Sequence, residues 1–546
     1  MWVRKQQATG GVLNMPPTFH DELWEWVKGI VSEESRPAFA SLTRSPSHGA
    51  SPGGPRTTKC PPSFEEASKS LNQSWQCSSP RPATEILPVE LWRKVLRYAL
   101  RLTGAQSINL NDPFESDYIR EEYPYLPPEY FDDRDACRRV CLTFDALVTE
   151  IMVEYIVVFT EEDLVWIVKK LEDDILSAEY KRLGDWTTRI DFCISGSYDP
   201  DWMLRLLTLT PNLVIYTTNT GLGEYPEHPM NTCILRGLVD FHGKTLRRLD
   251  WTGLNDAPTY ANLHAIAKGI PSLTTLHLRH LYGLPSPTTP QPMLVFPSLK
   301  ALSLGLIPLT KPPNMTNEEY PPCWDFFLRY FAHKFQLPRI QRLDIDICPL
   351  LPDFFTTYGR KIKTFRTSAR PIPLCVDDAL KALPNLQTFH YISSPGLEYQ
   401  IPSDQTSLQR IAILSSIEHD ISAPAIPFQS SIIKPLDIML ANIINMDTEK
   451  LTEVRICDRG GFAGIFESYN LLFWHWSRGL QQKKNIKLQN KYGDLDTRYA
   501  KYGDTPPPEQ PSKRYTISNQ WSPNNSDHTE NPLPIDKIQN EYPSDS

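Results

Sequence analysis

The stretch LRRLDW, residues 246–251, decides how this chain is read, because its pattern returns. Leu246, Leu249 and Trp251 put apolar residues at the first, fourth and sixth positions, so the second half alternates with the period of two of a β-strand. The same template is written as LTTLHL (273–278), LKALSL (299–304), IQRLDI (340–345), IKTFRT (362–367), LQTFHY (386–391), LQRIAI (408–413) and LTEVRI (451–456). TTRIDF (187–192) and LVIYTT (213–218) are looser members. Successive starts are 22 to 33 residues apart, with two longer steps of 41 and 43 that read as insertions.

The segments between these strands carry helical periodicity. Leu263, Ile266, Ala267 and Ile270 share one face, as do Val376, Ala379, Leu380 and Leu383; Trp324, Phe327, Leu328, Phe331 and Phe335 form a third such set. The helices run into IPSL (270–273), FPSL (296–299), LPRI (337–340) and LPNL (383–386). Proline cannot continue a helix and biases its predecessor to extended geometry, so each unit reads as helix, proline turn, strand. Units of this length, stacked to bury a common core, have the spacing of leucine-rich repeats. The fold class expected is an α/β repeat solenoid, irregular and leucine-rich-repeat-like, with helices outside and short parallel strands inside.

Four further regions flank residues 161–460, where the solenoid is expected. Residues 1–83, with SLTRSPSHGASPGGPRTTKCPPS (41–63), are too polar and rich in Pro, Gly and Ser to offset the entropy of ordering, and are expected to be disordered. Residues 84–160 are a small all-α unit. In its first helix Leu91, Val95, Tyr98, Ala99 and Leu102 form the apolar face; in its second, Cys137, Val140, Cys141, Phe144, Leu147, Val148 and Ile151 do so, with a polar, aromatic insert at 103–133 between them. A third helix opens at Thr160, with Asp163 placed for a capping box. Residues 461–490 hold an amphipathic helix expected to cap the array, and 491–546 a disordered tail.

A net charge of -8 argues against broad nucleic-acid binding, which needs a basic surface. The opening residues lack the apolar core of a signal peptide, and the chain has no run of about 18 apolar residues that would span a membrane. Ten scattered cysteines without a Cys-x-x-Cys pair read as reduced thiols, which places the chain in the cytoplasm or nucleus.

The run LPVELWRKVLRYAL (87–100), followed by ACRRVCLTFDALVTEIMVEYI (136–156), resembles an F-box. Leu87-Pro88, Glu90-Leu91, Val95-Leu96, then Cys137, Val140, Cys141, Phe144 and Leu147 carry the resemblance. An F-box followed by leucine-rich-like repeats is the layout of substrate-recruiting subunits of cullin-based ubiquitin ligases. The resemblance implies that Leu87, Pro88, Glu90, Leu91, Val95 and Leu96 bind a Skp-type adaptor, and through it a cullin, while the repeats hold a protein substrate. Two departures stand out. The insert is longer than usual, and the repeats lack the family's Asn at position nine, where Leu254, Leu281, Ile307, Cys348, Arg370 and Ser394 stand and only Cys348 fits. The other reading is a repeat scaffold for protein binding with no ligase role, in which 84–160 merely caps the solenoid.

Sites of chemistry are not in view. GASPG (49–53) spells Gly-x-Ser-x-Gly but lies in a Ser/Pro linker, with Pro52 after the serine. GLVDFHGKT (237–245) has five residues between its glycines where a phosphate-binding loop has four, and Gly243 reads as a helix stop. His277 and His280, three apart on a strand, point to opposite faces and cannot chelate one metal. Glu172-Asp173-Asp174 and Glu318-Glu319 read as solvated surface. The expectation is a binding protein with no enzymatic activity, cofactor or metal.

If the L-x-L residues point inward, those between them line an exposed concave face: Arg248, Asp250, Thr252, Thr275, His277, Arg279, Ala301, Ser303, Arg342, Asp344, Asp346, Thr364, Arg366, Thr388 and His390. Its mixed charge suits a protein surface. Asp250, His277, Arg279, Asp344 and Arg366 are the substrate-binding candidates.

Overall fold

The computed structural model describes residues 87–493 with interruptions, the longest at 116–127, 219–231, 280–291, 306–327 and 458–469. The tails expected at 1–83 and 491–546 lie outside the described residues, apart from Gly493. So do GASPG, His280, all six position-nine residues and Trp324, Phe327 and Phe331 of the third helical set. The chain forms two compact units, Met1–Phe365 and Arg366–Ser546, divided within the region expected to be one solenoid.

The first unit opens with three helices, α1 (Val89–Leu100), α2 (Pro128–Arg138) and α3 (Leu142–Glu154). Pro88 stands just before α1, and its carbonyl accepts from the amides of Leu91 and Trp92. The long second helix expected from the sequence is broken at 139–141, yet its apolar residues still meet. Cys137, Phe144, Leu147, Val148 and Ile151 form one core with Trp92, Leu96, Ala99 and Leu100, and Val140 and Cys141 pack against it. Trp92 and Phe144 lie with ring centroids 4.9 Å apart.

The stripe that α1 buries is therefore shifted one residue from the expected one. Trp92, Leu96, Ala99 and Leu100 go inward, while Leu91 and Tyr98 stay outside. Indole and leucine at 92 and 96 offer more apolar area to the core than leucine and valine at 91 and 95, and burial free energy scales with that area.

Glu154 ends α3, and Tyr155 at once begins a strand, β1 (Tyr155–Val158), which the sequence pattern does not announce. After α4 (Glu161–Ser177) the expected alternation sets in. The strands are β2 (Arg189–Phe192), β3 (Ile215–Thr218), β4 (Arg248–Trp251) and β5 (Thr275–Leu278), preceded by the helices α5 (Pro200–Leu209), α6 (Thr232–His242) and α7 (Tyr260–Gly269). A short strand β6 (Leu294–Val295) precedes β7 (Ala301–Leu304), and β8 (Phe335–Gln336) precedes β9 (Arg342–Ile345). Strands β1, β2, β3, β4, β5, β7 and β9 are neighbours in that order, each paired parallel with the next. β6 pairs with β8, so Phe335 belongs to a strand and not to the helix expected there.

The proline turns explain the repetition. The amide of Leu213 donates to Thr210, that of Leu273 to Ile270, that of Leu299 to Phe296, and that of Ile340 to Leu337, each across a turn whose second residue is proline. Proline presets the backbone angle that this turn position needs, so one four-residue signal, after a helix at 210 and 270 and after a short strand at 296 and 337, aims the next strand. Capping agrees. The Asp199 side chain accepts from the amide of Asp201, with Pro200 next in line, and Thr160 and Asp163 exchange the reciprocal bonds of the expected capping box. GLVDFHGKT closes α6 and enters β4. A side chain at Gly243 would meet the Gly269 carbonyl oxygen at 2.3 Å, so this glycine is needed for close approach of two turns.

β10 (Thr364–Ser368) contains the division between the units. Described by itself, the second unit continues with α9 (Pro373–Lys381), β11 (Thr388–Ser393), β12 (Arg410–Ser415), α10 (Ala425–Asn445), β13 (Glu453–Cys457), α11 (Asn470–Lys484) and β14 (Lys487–Gln489), α8 (Pro352–Tyr358) lying in the first. Strands β11 to β14 are parallel neighbours in sequence order. The expected capping helix is α11, anchored where the Trp476 indole donates to Asp437 at 2.7 Å, but it does not end the array. Asn485 takes a left-handed conformation (φ 54°) that turns the chain back, and β14 adds one more strand.

All ten strand templates read from the sequence are strands. The architecture is an α/β repeat with an all-parallel order of short strands, compatible with a solenoid-like arrangement.

Candidate functional site

The expected exposed face is closed. Asp250 and Asp344 are almost wholly buried, as are Arg248, Arg342, Thr275, Ser303, Thr388 and His390; His277, Arg279 and Arg366 are half-buried. Of the five substrate-binding candidates, two are thus inside the protein. Arg366 begins the second unit, whereas the other four belong to the first. In β2, β3, β4, β7 and β9 every residue is buried, L-x-L positions and intervening ones alike.

The cause is a pairing that repeats. Three strands carry Arg at their first residue and Asp at their third, which puts both on one face. On β2 the Arg189 guanidinium donates through Nε and Nη2 to the two carboxylate oxygens of Asp191, at 2.7 and 2.9 Å. On β4 Arg248 clasps Asp250 (Nε–Oδ1 3.0 Å, Nη2–Oδ2 2.7 Å), and on β9 Arg342 clasps Asp344 (Nε–Oδ1 2.9 Å, Nη2–Oδ2 2.9 Å). Sheet register places these in two rows. One runs Arg189, Ile215, Arg248, Thr275, Ala301, Arg342; the other runs Asp191, Thr217, Asp250, His277, Ser303, Asp344. Ile215, Thr275 and Ala301 separate the charged rungs in the first row, and Thr217, His277 and Ser303 do so in the second.

What covers the rungs is the insert after α1. Gly104 adopts φ +73° in a turn where the Ala105 amide donates to Leu102, and the chain then crosses the face. Arg189 Nη1 donates to the Ala105 carbonyl at 2.8 Å. Arg248 Nη1 donates to the carbonyls of Ser107 (3.2 Å) and Asn109 (2.6 Å). Arg342 donates to Leu110 (Nη1, 3.1 Å) and Asn111 (Nη2, 2.8 Å). Ala105 and Leu110 are buried, Gln106, Ile108 and Asn109 face out, and a turn in which Asp112 accepts from the Phe114 amide ends the strap. Arginine suits this role because one planar edge can bind a carboxylate bidentately while the remaining N–H groups reach a second acceptor.

The pairs leave an electrostatic imprint. Burial alone would raise the Asp250 carboxyl, but the charge and hydrogen bonds of Arg248, with His277 and Arg189 behind, hold it below the usual carboxylate range. Tyr155 donates to Asp191 at 2.5 Å while the Arg189 guanidinium lies 4.8 Å from the centre of its ring.

The second candidate surface is α1. Leu87 and Val95 are half-buried; Pro88, Glu90 and Leu91 are exposed, Leu91 at 43%; and Leu96 is buried in the unit's own core. Leu96 therefore cannot meet a partner while the unit is folded, a correction to its place among the adaptor-binding residues. Tyr98, expected in the core, is 56% exposed, and Leu142, at the start of α3, is 89% exposed. The polar flank of α1 is fixed. Arg93 donates to Glu150 at 2.9 Å, Arg97 pairs with Glu154, and both guanidiniums lie near the Trp186 ring, 5.4 and 5.2 Å from its centre. Glu154 also accepts from Gln106 of the strap at 2.9 Å.

Among the described residues no group of three or more His, Cys, Asp or Glu is placed to hold a metal ion, and no helix is long and apolar enough to cross a membrane. Cys137 is buried and its thiol is pushed up to about 11.

No family model matches the chain, and comparison with curated proteins finds no match. Among solved structures it is similar to a Bacteroides fragilis protein determined by a structural-genomics consortium, at 12% identity over 61% of this chain and 83% of that one, with a TM-score of 0.28.

Proposed function

We propose that this chain is a protein-recruiting adaptor with no chemistry of its own. Its N-terminal helical unit is an F-box-like module that docks a Skp-type adaptor, and thereby a cullin ubiquitin ligase, while its leucine-rich-repeat-like region engages the protein to be modified. The observation that carries this reading is that α1 is apolar on two sides. Trp92, Leu96, Ala99 and Leu100 fill the unit's own core, and Pro88, Val89, Leu91 and Tyr98 remain exposed. A helix that only capped the repeats would need the first set alone, and the outer set is the apolar surface that docking requires. In the first unit target contact falls to His277 on β5 and Arg279 just after it, both half-buried, whereas Asp250 and Asp344 are almost wholly buried. Arg366, half-buried, opens the second unit and is a candidate by itself.

Co-elution of the full chain with a purified Skp-type adaptor tests the reading. A complex at micromolar concentration that Leu91→Asp with Tyr98→Asp abolishes supports it. Absence of a complex with a well-folded chain favours a binding scaffold without a ligase role.

A further inference from the structure

We propose that the Arg–Asp rungs of β2, β4 and β9 form a binding site for an extended peptide, read through its main-chain carbonyls, and that residues 105–111 are its resident, intramolecular occupant. This does not depend on whether the helical unit docks an adaptor.

The chemistry of the rungs selects the ligand. Each guanidinium has its Nε–Nη2 edge occupied by a carboxylate two residues away, so each rung is electrically neutral. The N–H groups left over meet five carbonyl oxygens between Ala105 and Asn111, and in none of these bonds is a side chain of the strap the acceptor. A phosphate or free carboxylate would want a net positive site; a peptide carbonyl, neutral and strongly accepting, matches a neutral donor array. Main-chain readout fixes the path of the ligand but not its sequence. Selectivity comes from the two buried side chains, Ala105 and Leu110, so a ligand of this site carries a small apolar residue and, five positions later, a larger aliphatic one. Ile108 points outward and is free to vary; Gln106 and Asn109 are also exposed, but their side chains donate to Glu154 and Glu115. A peptide acting in trans competes with a tethered occupant present at high effective concentration, so the strap also sets the threshold for binding.

The test replaces residues 105–111 of the full chain by a Gly/Ser segment of equal length. It follows the fluorescence anisotropy of a labelled peptide with the chain's own sequence 103–115. Saturable binding in the micromolar range is expected, weakened at least tenfold by Leu110→Asp in the peptide, and equally by Arg248→Met with Asp250→Leu in the protein. No saturable binding, or equal binding of the Leu110→Asp peptide, by a chain that keeps its melting transition overturns the proposal. If the Gly/Ser chain does not fold, amide hydrogen exchange on the unaltered protein decides. Strap amides that exchange through an opening while β2 to β5 stay protected support a displaceable occupant. Strap amides that exchange only together with the strands overturn it.

Discussion

Arg248 and Asp250 stand two residues apart on one strand, face the same way, and are held together by bonds of 3.0 and 2.7 Å with almost no access to water. Neither can be removed alone without stranding the other. Breaking a buried ion pair costs about 3–5 kcal/mol, whereas replacing both partners by apolar residues of similar volume is often neutral. Asp250→Ala is therefore expected to lose stability in that range by urea denaturation. Arg248→Met with Asp250→Leu should recover most of the loss, a coupling that a double-mutant cycle measures directly.

Acid tests the same pair. The Asp250 carboxyl is held below its usual range in the folded state, so its contribution is present above the unfolded value near pH 4 and is lost as pH falls through the lower folded value. Denaturation below pH 4 should show a steeper loss of stability in the wild type than in the doubly apolar variant. Matching slopes would mean that the carboxylate is not what acid attacks.

His242 gives a separate window. Its ring is buried, its Nε2 lies 3.0 Å from the Leu207 carbonyl, and burial drives its pKa down to about 4. Because the folded value lies below the unfolded one, stability is full above about pH 6.5 and falls as pH drops toward 4, by about 3 kcal/mol over that interval. His242→Gln keeps a donor for Leu207 without titrating. The difference in melting temperature between pH 7 and pH 4.5 should shrink in that variant, and an unchanged difference would assign the acid sensitivity elsewhere.

The strand templates were legible because period-two alternation and X-Pro-x-Leu turns are local signals, written within about ten residues. β1 and β14 lay hidden for a local reason too. YIVV continues the apolar run of α3 without a turn signal, and KLQ is too short to alternate visibly. The enclosure of the sheet's face is not legible in local sequence because its cover comes from far away in the chain. Arg342 meets Leu110 across more than two hundred positions, and no periodicity reports such a contact. A signal was nonetheless present: Arg-x-Asp recurs at one position of the template in TTRIDF, LRRLDW and IQRLDI. Opposite charges two apart on a strand neutralise one another and are fit for burial, so the recurrence marks an enclosed row better than an exposed one. On α1 the sequence carries two overlapping apolar stripes, and only three-dimensional packing decides which of them becomes core.

Gly243 gives a steric prediction. A methyl group there would sit 2.3 Å from the Gly269 carbonyl oxygen and 2.7 Å from that of Val239, both backbone atoms that cannot swing aside. Gly243→Ala should destabilise the first unit by about 1–3 kcal/mol, the usual cost of overpacking. An unchanged urea midpoint would show that the turns between α6 and β4 and between α7 and β5 have room to separate.

The two stripes of α1 supply the contrast that separates folding from docking. Leu96 is buried among Trp92, Phe144 and the α3 leucine and valine, so Leu96→Asp buries a charge without a partner and should prevent the helical unit from folding. Leu91 and Tyr98 face outward, and charges there meet solvent, where substitutions usually shift stability by less than about 0.5 kcal/mol. Leu91→Asp with Tyr98→Asp should thus preserve the melting transition and the circular dichroism of the full chain while removing co-elution with a Skp-type adaptor. If the adaptor binds this double variant as well as the wild type, the outer stripe is not the docking surface. If the variant loses its melting transition along with binding, the stripe is packed against the protein itself, and α1 serves as a cap for the repeats.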